Sequence, residues 1–468
     1  MHPRDSRRSI ASNPQLDEAG SHTEGPVAHS SANFAPSADC PCKEGMFALA
    51  LTRRQAIART GLAAAAAVTG MLPRAAGSEA PPGAAEYTVP VDSTKEPGRP
   101  MGLDRGYGLR SQFETEVRWV NPSKVAGFSP LQDSYGTITP SGLHYERHHN
   151  GIPNIDPARH RLLVHGMVDR PINYSLTDLK RFPTVSRTYF LECSGNTFTE
   201  ILRAQEPTVQ RTHGLVSTSE WTGVPLSTLL KETGLKPQAA WVLAEGADAA
   251  VMTRSVPLDK CLSDALVVFA QNGEAIRPEQ GYPMRLFLPG WEGNMSIKWL
   301  RRLEVSDRPY YTREETSKYT DLVTTTGKAR IFTFTMEAKS VITFPSGEMK
   351  LPGRGFYEIT GLAWSGRGKI ARVDVSVDGG KSWKSALLQD PVLAISQTRF
   401  RFPWIWNGAN AVIMSRATDE TGYRQPTHRQ LIVERGPLKD GAIFYHMNAI
   451  QSWGIAADGT VQNVHPLI

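Results

Sequence analysis

The period of the apolar residues changes along the chain, and the changes mark out its organisation. Between about residues 140 and 310, short apolar runs are interleaved with stretches of helical period. "RLLVHGMV" (161–168) and "TYFLEC" (188–193) read as strands, whereas "SLTDLKRF" (175–182) and "PLSTLLKETG" (225–234) read as helix starts with Ser or Thr caps. Further strands are expected in "WVLAEG" (241–246), "ALVVFAQNG" (265–273) and "MRLFLPG" (284–290). Strand and helix do not alternate strictly, which predicts an α+β domain rather than a doubly wound one. After about residue 325 the period becomes two: "RIFTFTMEAKSVITFP", "GFYEITGLAWSG", "IARVDVSVDGGKSW", "TRFRFPWIW" and "AVIMSRATDETG" alternate apolar and polar positions between Gly and Asp turns. Asp378, Gly379 and Gly380 predict a tight turn there.

The second pattern predicts a β-sandwich of immunoglobulin-like character, a fold that names no function by itself. The expected organisation is a catalytic-type domain over 81–324, the sandwich over 325–440, and an aromatic tail over 441–468 able to pack on something. At 468 residues the chain is long enough for two cores. Residues 81 to about 140, with "KEPGRPMG" and "NPSKVAGFSP", read as an irregular wrapping arm.

The first 80 residues stand apart. Residues 1–45 are polar and lack apolar period, so they are expected to be disordered. Thr52, Arg53 and Arg54 then precede a weakly apolar, Ala-rich stretch from Gly61 to Leu72, with small residues at 75–80. That is the pattern of a twin-arginine export signal, too short and weakly apolar for a membrane span. A leader of ordinary length would start at Met46, so translation is expected to begin there. Export of an already folded protein points to a cofactor enzyme in the periplasm. Cleavage would remove two of the four cysteines, Cys40 and Cys42, leaving Cys193 and Cys261.

Charge adds an exclusion. Net charge is +6, but 52 basic residues nearly balance 46 acidic ones with no dense basic block, so nucleic acid is not an expected partner.

Cys193 ends an apolar strand and opens a turn of Ser194, Gly195 and Asn196. In an oxidising compartment it could pair with Cys261, or it could be an inert buried thiol. An open turn of small residues also admits a bulky group, and thiolate suits a soft transition metal. No CxxC or Cys/His set of zinc spacing accompanies it, so the remaining ligands would come from a cofactor.

"ECSGN" resembles the molybdenum-ligating segment of the sulfite oxidase family, and linked motifs carry the resemblance over about residues 100–468. The resemblance implies a molybdopterin-binding domain followed by an immunoglobulin-like dimerisation domain. It also implies one pyranopterin cofactor whose molybdenum takes Cys193 as its protein ligand. In "GLHYERHHNGIPNIDP" the family's substrate-contacting arginine and pterin-contacting histidine fall on Arg147 and His149. A zinc site from His144, His148, His149 and His160, or plain surface histidines, are the competing readings of that stretch. Asp248 matches a cofactor-contacting aspartate; in "QGYPMR" Arg285 matches, while Gln280 stands where the family has histidine. "PGWEGNMSIKWL" resembles the phosphate loop, with Ser296, Ile297 and Lys298 at the contacting positions. Tyr319 stands at the spacing of the family's active-site tyrosine, where it would hydrogen-bond oxygen and gate proton release; read alone it is a surface residue. Trp241 and Trp291 are expected to pack.

Animal sulfite oxidases of this family follow the cysteine motif with two arginines, where this chain has Thr197 and Phe198. With fewer cations facing the metal, a small free dianion loses attraction and a sulfur on a protein arm loses little. "SGLHYERHHNGIP", "ECSGNT", "QRTHGLVSTSEWTGV" and "NAIQSWGIAADGTVQNVH" together resemble the molybdenum subunits of the bacterial sulfur-oxidising (Sox) system, the sulfane or sulfite dehydrogenases. That branch implies a sulfur-carrier protein as substrate, a c-type cytochrome partner and a homodimer formed through the sandwich. No CxxCH occurs, so this chain binds no covalent haem of its own. Alternatives are a dehydrogenase for free sulfite, a reductase of oxidised sulfur such as methionine sulfoxide, and a non-enzymatic binding protein.

Overall fold

The structure, a computed structural model, describes residues 106–323, 326–435 and 444–465. The export signal, Cys40, Cys42 and residues 81–105 of the expected arm lie outside the described residues.

Two sheets frame the first domain. One orders the strands Glu274–Ala275, Leu266–Gln271, Val216–Pro225 and Val185–Glu192, all antiparallel, with Arg285–Phe287 also paired to Leu266–Gln271. The other orders Ile172–Tyr174, Leu162–Gly166, Leu300–Ser306, Trp241–Gly246 and Thr253–Pro257, and there only the Leu162–Gly166/Leu300–Ser306 pair is parallel. The helices are short. Leu176–Leu179 starts at Ser175 through a reciprocal capping box with Asp178, as the sequence predicts. Leu226–Thr233 departs from expectation: Pro225 holds its N-cap position and no side chain caps it, because the strand before it runs straight into the helix. Leu162, Val164, Val224, Leu229, Leu230, Val256 and Leu303 form one buried core.

The β-rich second domain has two antiparallel sheets, Lys339–Phe344/Gly355–Trp364/Thr398–Trp406/Leu387–Leu388 and Lys384–Ser385/Ile370–Ser376/Ala411–Asp419/Ser452–Ile455/Val461–Val464. Ile359 and Phe400 from the first share a core with Val373, Ile413 and Trp453 from the second. Three details differ from the sequence pattern. Only Lys339–Phe344 of the run 330–345 is a continuous strand of this domain. The Asp378 turn is wider than two residues, with Asp378 accepting from the Ser382 amide and hydroxyl while Gly379 and Gly380 take φ of 74° and 88°. The last described residues are integral, since Ser452–Ile455 and Val461–Val464 complete a sheet.

The domains join behind the strand Val185–Glu192. Its outer edge, which would otherwise be unpaired, is covered by residues 395–396: Phe190 N–H donates to Ile395 O at 2.9 Å and the Ser396 hydroxyl donates to Thr188 O at 2.7 Å. Phe190 and Val216 belong to the second domain's core. At another crossing the backbones of Gly290 and Gly366 approach so closely that a Cβ on Gly366 would meet Gly290 O at 2.0 Å. Gly366→Ala should therefore lower stability by about 2–4 kcal/mol, as thermal or urea unfolding would register; a loss under about 0.5 kcal/mol would count against this tight crossing.

Candidate active site

Cys193 is placed by the ladder that precedes it. Its amide donates to Leu215 O at 3.0 Å, continuing the pairing of Val185–Glu192 with Val216–Pro225, and Asn196 N–H then closes the turn on Cys193 O at 2.9 Å. Burial pushes the Cys193 thiol up, against the pull of Arg147 and the Gly195 amide. Cys261, by contrast, is a free thiol in the first domain's core, and Cys193 is free as well.

The turn rests on a buried carboxylate. Glu192 Oε1 accepts from Lys339 Nζ at 2.9 Å and Asn196 Nδ2 at 2.9 Å, and Oε2 accepts from Trp364 Nε1 at 2.7 Å. Thr197, with φ of 69°, is buried: its hydroxyl donates to Met447 O at 2.7 Å and accepts from Lys339 Nζ at 2.9 Å. Thr197 is thus turned into the protein, whereas Phe198 is 39% exposed. The expectation that both residues set the charge of the site reduces to Phe198.

A cleft of about 650 Å³ opens over Cys193, and all ten residues singled out from the sequence line it: Arg147, His149, Cys193, Asp248, Gln280, Arg285, Ser296, Ile297, Lys298 and Tyr319. Arg147 ends the strand Glu146–Arg147, which pairs with Ala126–Phe128. His149 Nε2 shares a 2.8 Å hydrogen bond with the Tyr319 hydroxyl. One edge of His149 is open to solvent, yet the cleft walls, then Arg147 and Lys298, push its imidazole down to about 4, while burial and then Cys193 push the Tyr319 phenol up. Asp248 lies beyond the strand Trp241–Gly246 and accepts from Met252 N–H at 3.2 Å.

Cations gather at the other end. Lys298 Nζ donates to Arg147 O and Glu279 O at 3.0 Å and to His148 Nδ1 at 2.8 Å. Arg285 donates to Gln280 O at 3.0 Å and Ser296 O at 2.9 Å, and its Nε is buried with no hydrogen-bond partner. Burial lowers Arg285 to about 10, and burial followed by Arg285 pushes Lys298 well down. Gln280 organises this end, donating to Tyr145 O at 2.7 Å. The Ser296 hydroxyl is engaged as well, accepting from Leu288 N–H at 3.0 Å.

The four histidines weighed as a zinc set have separate partners. His144 Nδ1 bonds Tyr145 O at 2.9 Å, His148 Nε2 bonds Glu146 at 2.7 Å, His149 bonds Tyr319, and His160 Nε2 bonds Leu300 O at 2.8 Å. Trp291 stacks on Phe334 at 4.2 Å and Trp241 packs on Phe332 at 5.4 Å.

A second buried network was not legible in the sequence. Glu292 takes Arg254 Nη2 at 3.1 Å, Asn294 Nδ2 at 2.8 Å and His446 Nε2 at 3.2 Å; Asn294 also donates to the Ser194 hydroxyl at 3.0 Å, and His446 Nδ1 lies 3.3 Å from Glu337. The partners stand up to 154 residues apart, so no local pattern marks them. Glu192 did leave a signal: a carboxylate at an inward strand position requires a partner.

Residues 149–313 match the family described as oxidoreductase molybdopterin binding domain, and residues 330–451 match Mo-co oxidoreductase dimerisation domain. The solved structure of the sulfane dehydrogenase SoxCD from Paracoccus pantotrophus is similar over 82% of this chain and 97% of that chain, at 44% identity and a TM-score of 0.71. A nitrate reductase [NADH] of Hordeum vulgare is 32% identical over 390 residues, and the mitochondrial sulfite oxidase of Rattus norvegicus is 30% identical over 301. This chain spans 42% and 52% of the length of those two relatives.

The Glu292–His446 pair predicts a pH profile. Burial opposes the charge on His446, but Glu292 and Glu337 outweigh it and push the imidazole up to about 10; Glu292, for which Arg254 and His446 outweigh burial, is held at about 2. A raised histidine contributes stability that is whole below its ordinary value of 6.5 and lost as pH rises through about 10. The carboxylate's share is present above 4.5 and lost as pH falls toward about 2. The unfolding temperature should peak between these limits and decline from pH 6 to 10 more steeply in the natural chain than in His446→Gln. Parallel profiles would refute the pairing.

Proposed function

This chain belongs to the sulfite oxidase family of molybdopterin oxidoreductases, and from that premise we propose that it oxidises sulfur, taking a sulfur atom presented on a carrier protein and passing electrons to a c-type cytochrome. The observation that carries this reading is one cleft whose lining combines Cys193 with the cations Arg147, Arg285 and Lys298.

The residues fit the implied cofactor. A soft sulfur donor on an open turn suits molybdenum. The buried, unpartnered Arg285 Nε, with Lys298 and the backbone around Ser296 and Ile297, suits an anionic phosphate, whose charge relieves the crowding that depresses both cations. When bound, the molybdenum pyranopterin supplies the redox centre and the oxygen-transfer chemistry.

The chain's own residues do the rest. Cys193 would hold the metal as thiolate, since a bound cation would reverse the preference that burial gives the thiol. Asp248 and Gln280 line the cleft and would face the pterin, and Gln280 fixes Arg285 through its carbonyl. Arg147 is the lining cation not taken up by the phosphate end, so its guanidinium is left to orient substrate oxygens. Tyr319, protonated, and His149, neutral, hold one exchangeable proton at the reacting face.

The carrier-bound substrate is supported by the similarity to SoxCD, titled a sulfane dehydrogenase, and by Phe198 at the turn where relatives place arginine. Export to the periplasm rests on the leader pattern of residues 46–80, and pairing into a homodimer on the matched dimerisation domain. Among the described residues no helix is long and apolar enough to cross a membrane.

Cys193→Ser, made in a cofactor-competent host, should lose its molybdenum on metal analysis and lower activity by about a hundredfold or more; full metal content with normal turnover would end the ligand assignment. Cytochrome c reduction should be fast with thiosulfate plus the carrier proteins and slow with sulfite alone. Fast turnover on sulfite that ignores the carrier would favour the free-sulfite dehydrogenase instead.

A further inference from the structure

The loop carrying Tyr319 is held by residues from the end of the chain. Tyr319 has φ of 48°, in the left-handed region that a bulky side chain reaches only when its surroundings impose it. Its ring lies 5.2 Å from that of Tyr445, centroid to centroid, and the Arg254 guanidinium stands over the Tyr319 ring, 5.4 Å from its centroid. Two residues on, buried Asp321 accepts from Arg435 Nη1 at 3.1 Å and from the Tyr445 amide at 3.3 Å; Arg435 also donates to Tyr445 O at 2.8 Å. The neighbouring residue, His446, donates its amide to Ser194 O at 2.9 Å, directly beside Cys193. Tyr445 is therefore fixed at both ends of its backbone and reaches from the cysteine turn to the tyrosine loop.

We propose that Tyr445 is a positioning residue that holds Tyr319 in its left-handed conformation with the hydroxyl directed at His149, so that the proton-holding pair is set by the second domain. This rests on the assignment of Tyr319 to the reacting face made above. Alanine at 445 would remove the ring contact and leave the backbone ties of residue 445 to Asp321 and Arg435 in place. The loop could then relax to a common backbone conformation, and the hydroxyl would leave its place.

The test uses the full-length holoenzyme in four forms: natural, Tyr445→Ala, Tyr319→Phe and the double variant. Each is assayed for molybdenum content, for cytochrome c reduction with sulfite and with thiosulfate plus the carrier proteins, and for the pH at which the electron paramagnetic resonance signal of the half-reduced metal changes form. Tyr445→Ala should retain its molybdenum, lower kcat by about tenfold with little change in KM, and move the spectroscopic pH midpoint in the same direction as Tyr319→Phe. In the Tyr319→Phe background it should add almost nothing. A full tenfold loss in both backgrounds, unchanged kinetics and spectrum, or loss of molybdenum in Tyr445→Ala would each overturn the proposal while leaving the reading of Tyr319 intact. Natural behaviour of Tyr319→Phe itself would overturn both.

Discussion

The buried carboxylate of Glu192 is the point on which the two domains and the cysteine turn depend. It sits one residue before Cys193, excluded from solvent, and takes donors from three directions: Lys339 and Trp364 of the second domain and Asn196 of the turn itself. A charge in that position is tolerable only because every partner is present, and removing one would leave an uncompensated ion in the interior. The satisfied network therefore couples the presence of the second domain to the shape of the turn. A thiol on an ordinary strand end would wander with its loop; this one is fixed by an ion pair whose cation lies 147 residues further along the chain.

Left-handed backbone collects around the same cleft. Thr197, Val251, Trp299, Tyr319 and His446 all have positive φ without being glycine, and each lies in or beside a segment that shapes the site. Such conformations persist where surrounding contacts over-determine them. The contacts are visible: Thr197 is tied to Met447 and Lys339, Trp299 donates its Nε1 to Pro278 O at 2.9 Å, and Tyr319 is tied to His149 and Tyr445. The well-packed sheets supply the rigidity that allows these loops to be irregular.

What the sequence disclosed follows from the range over which each feature acts. The strands and the ten cleft residues were legible because the strand period and short motifs are local, and each motif contributes a backbone segment whose shape is set within a few residues. Alternation over 330–338 misled, since that stretch crosses between domains, where Glu292 N–H donates to Phe334 O at 2.7 Å and Met336 N–H donates to Gly290 O at 3.0 Å, instead of joining the second domain's sheets. The ties among Glu292, His446 and Glu337, and the placement of Tyr445, were invisible because they join residues that no spacing rule relates. The aromatic character of the tail gave a direction without a partner, and only tertiary structure supplied one.

The residues after the cysteine show how a substitution can be misread from its type alone. Counting lost cations at 197 and 198 treats both positions as facing the substrate, yet the Thr197 hydroxyl points inward to Lys339, a cation already present and already neutralised by Glu192. A long cationic side chain at 197 would have to share that buried space with Lys339 or leave it, so threonine there answers to the ion pair and not to the substrate. The same logic explains Gln280. It stands among Arg285, Lys298 and Arg147, where an imidazole would add a fourth group able to carry positive charge, and a neutral amide meets the geometric need by bonding Tyr145 O and the Arg285 guanidinium without adding repulsion. Of the two positions after the turn, only Phe198 keeps an exposed flank, and Arg147 is among the cations that line the cleft. A change of charge at 198 would therefore reach solvent, whereas one at 197 would have to be met inside the protein.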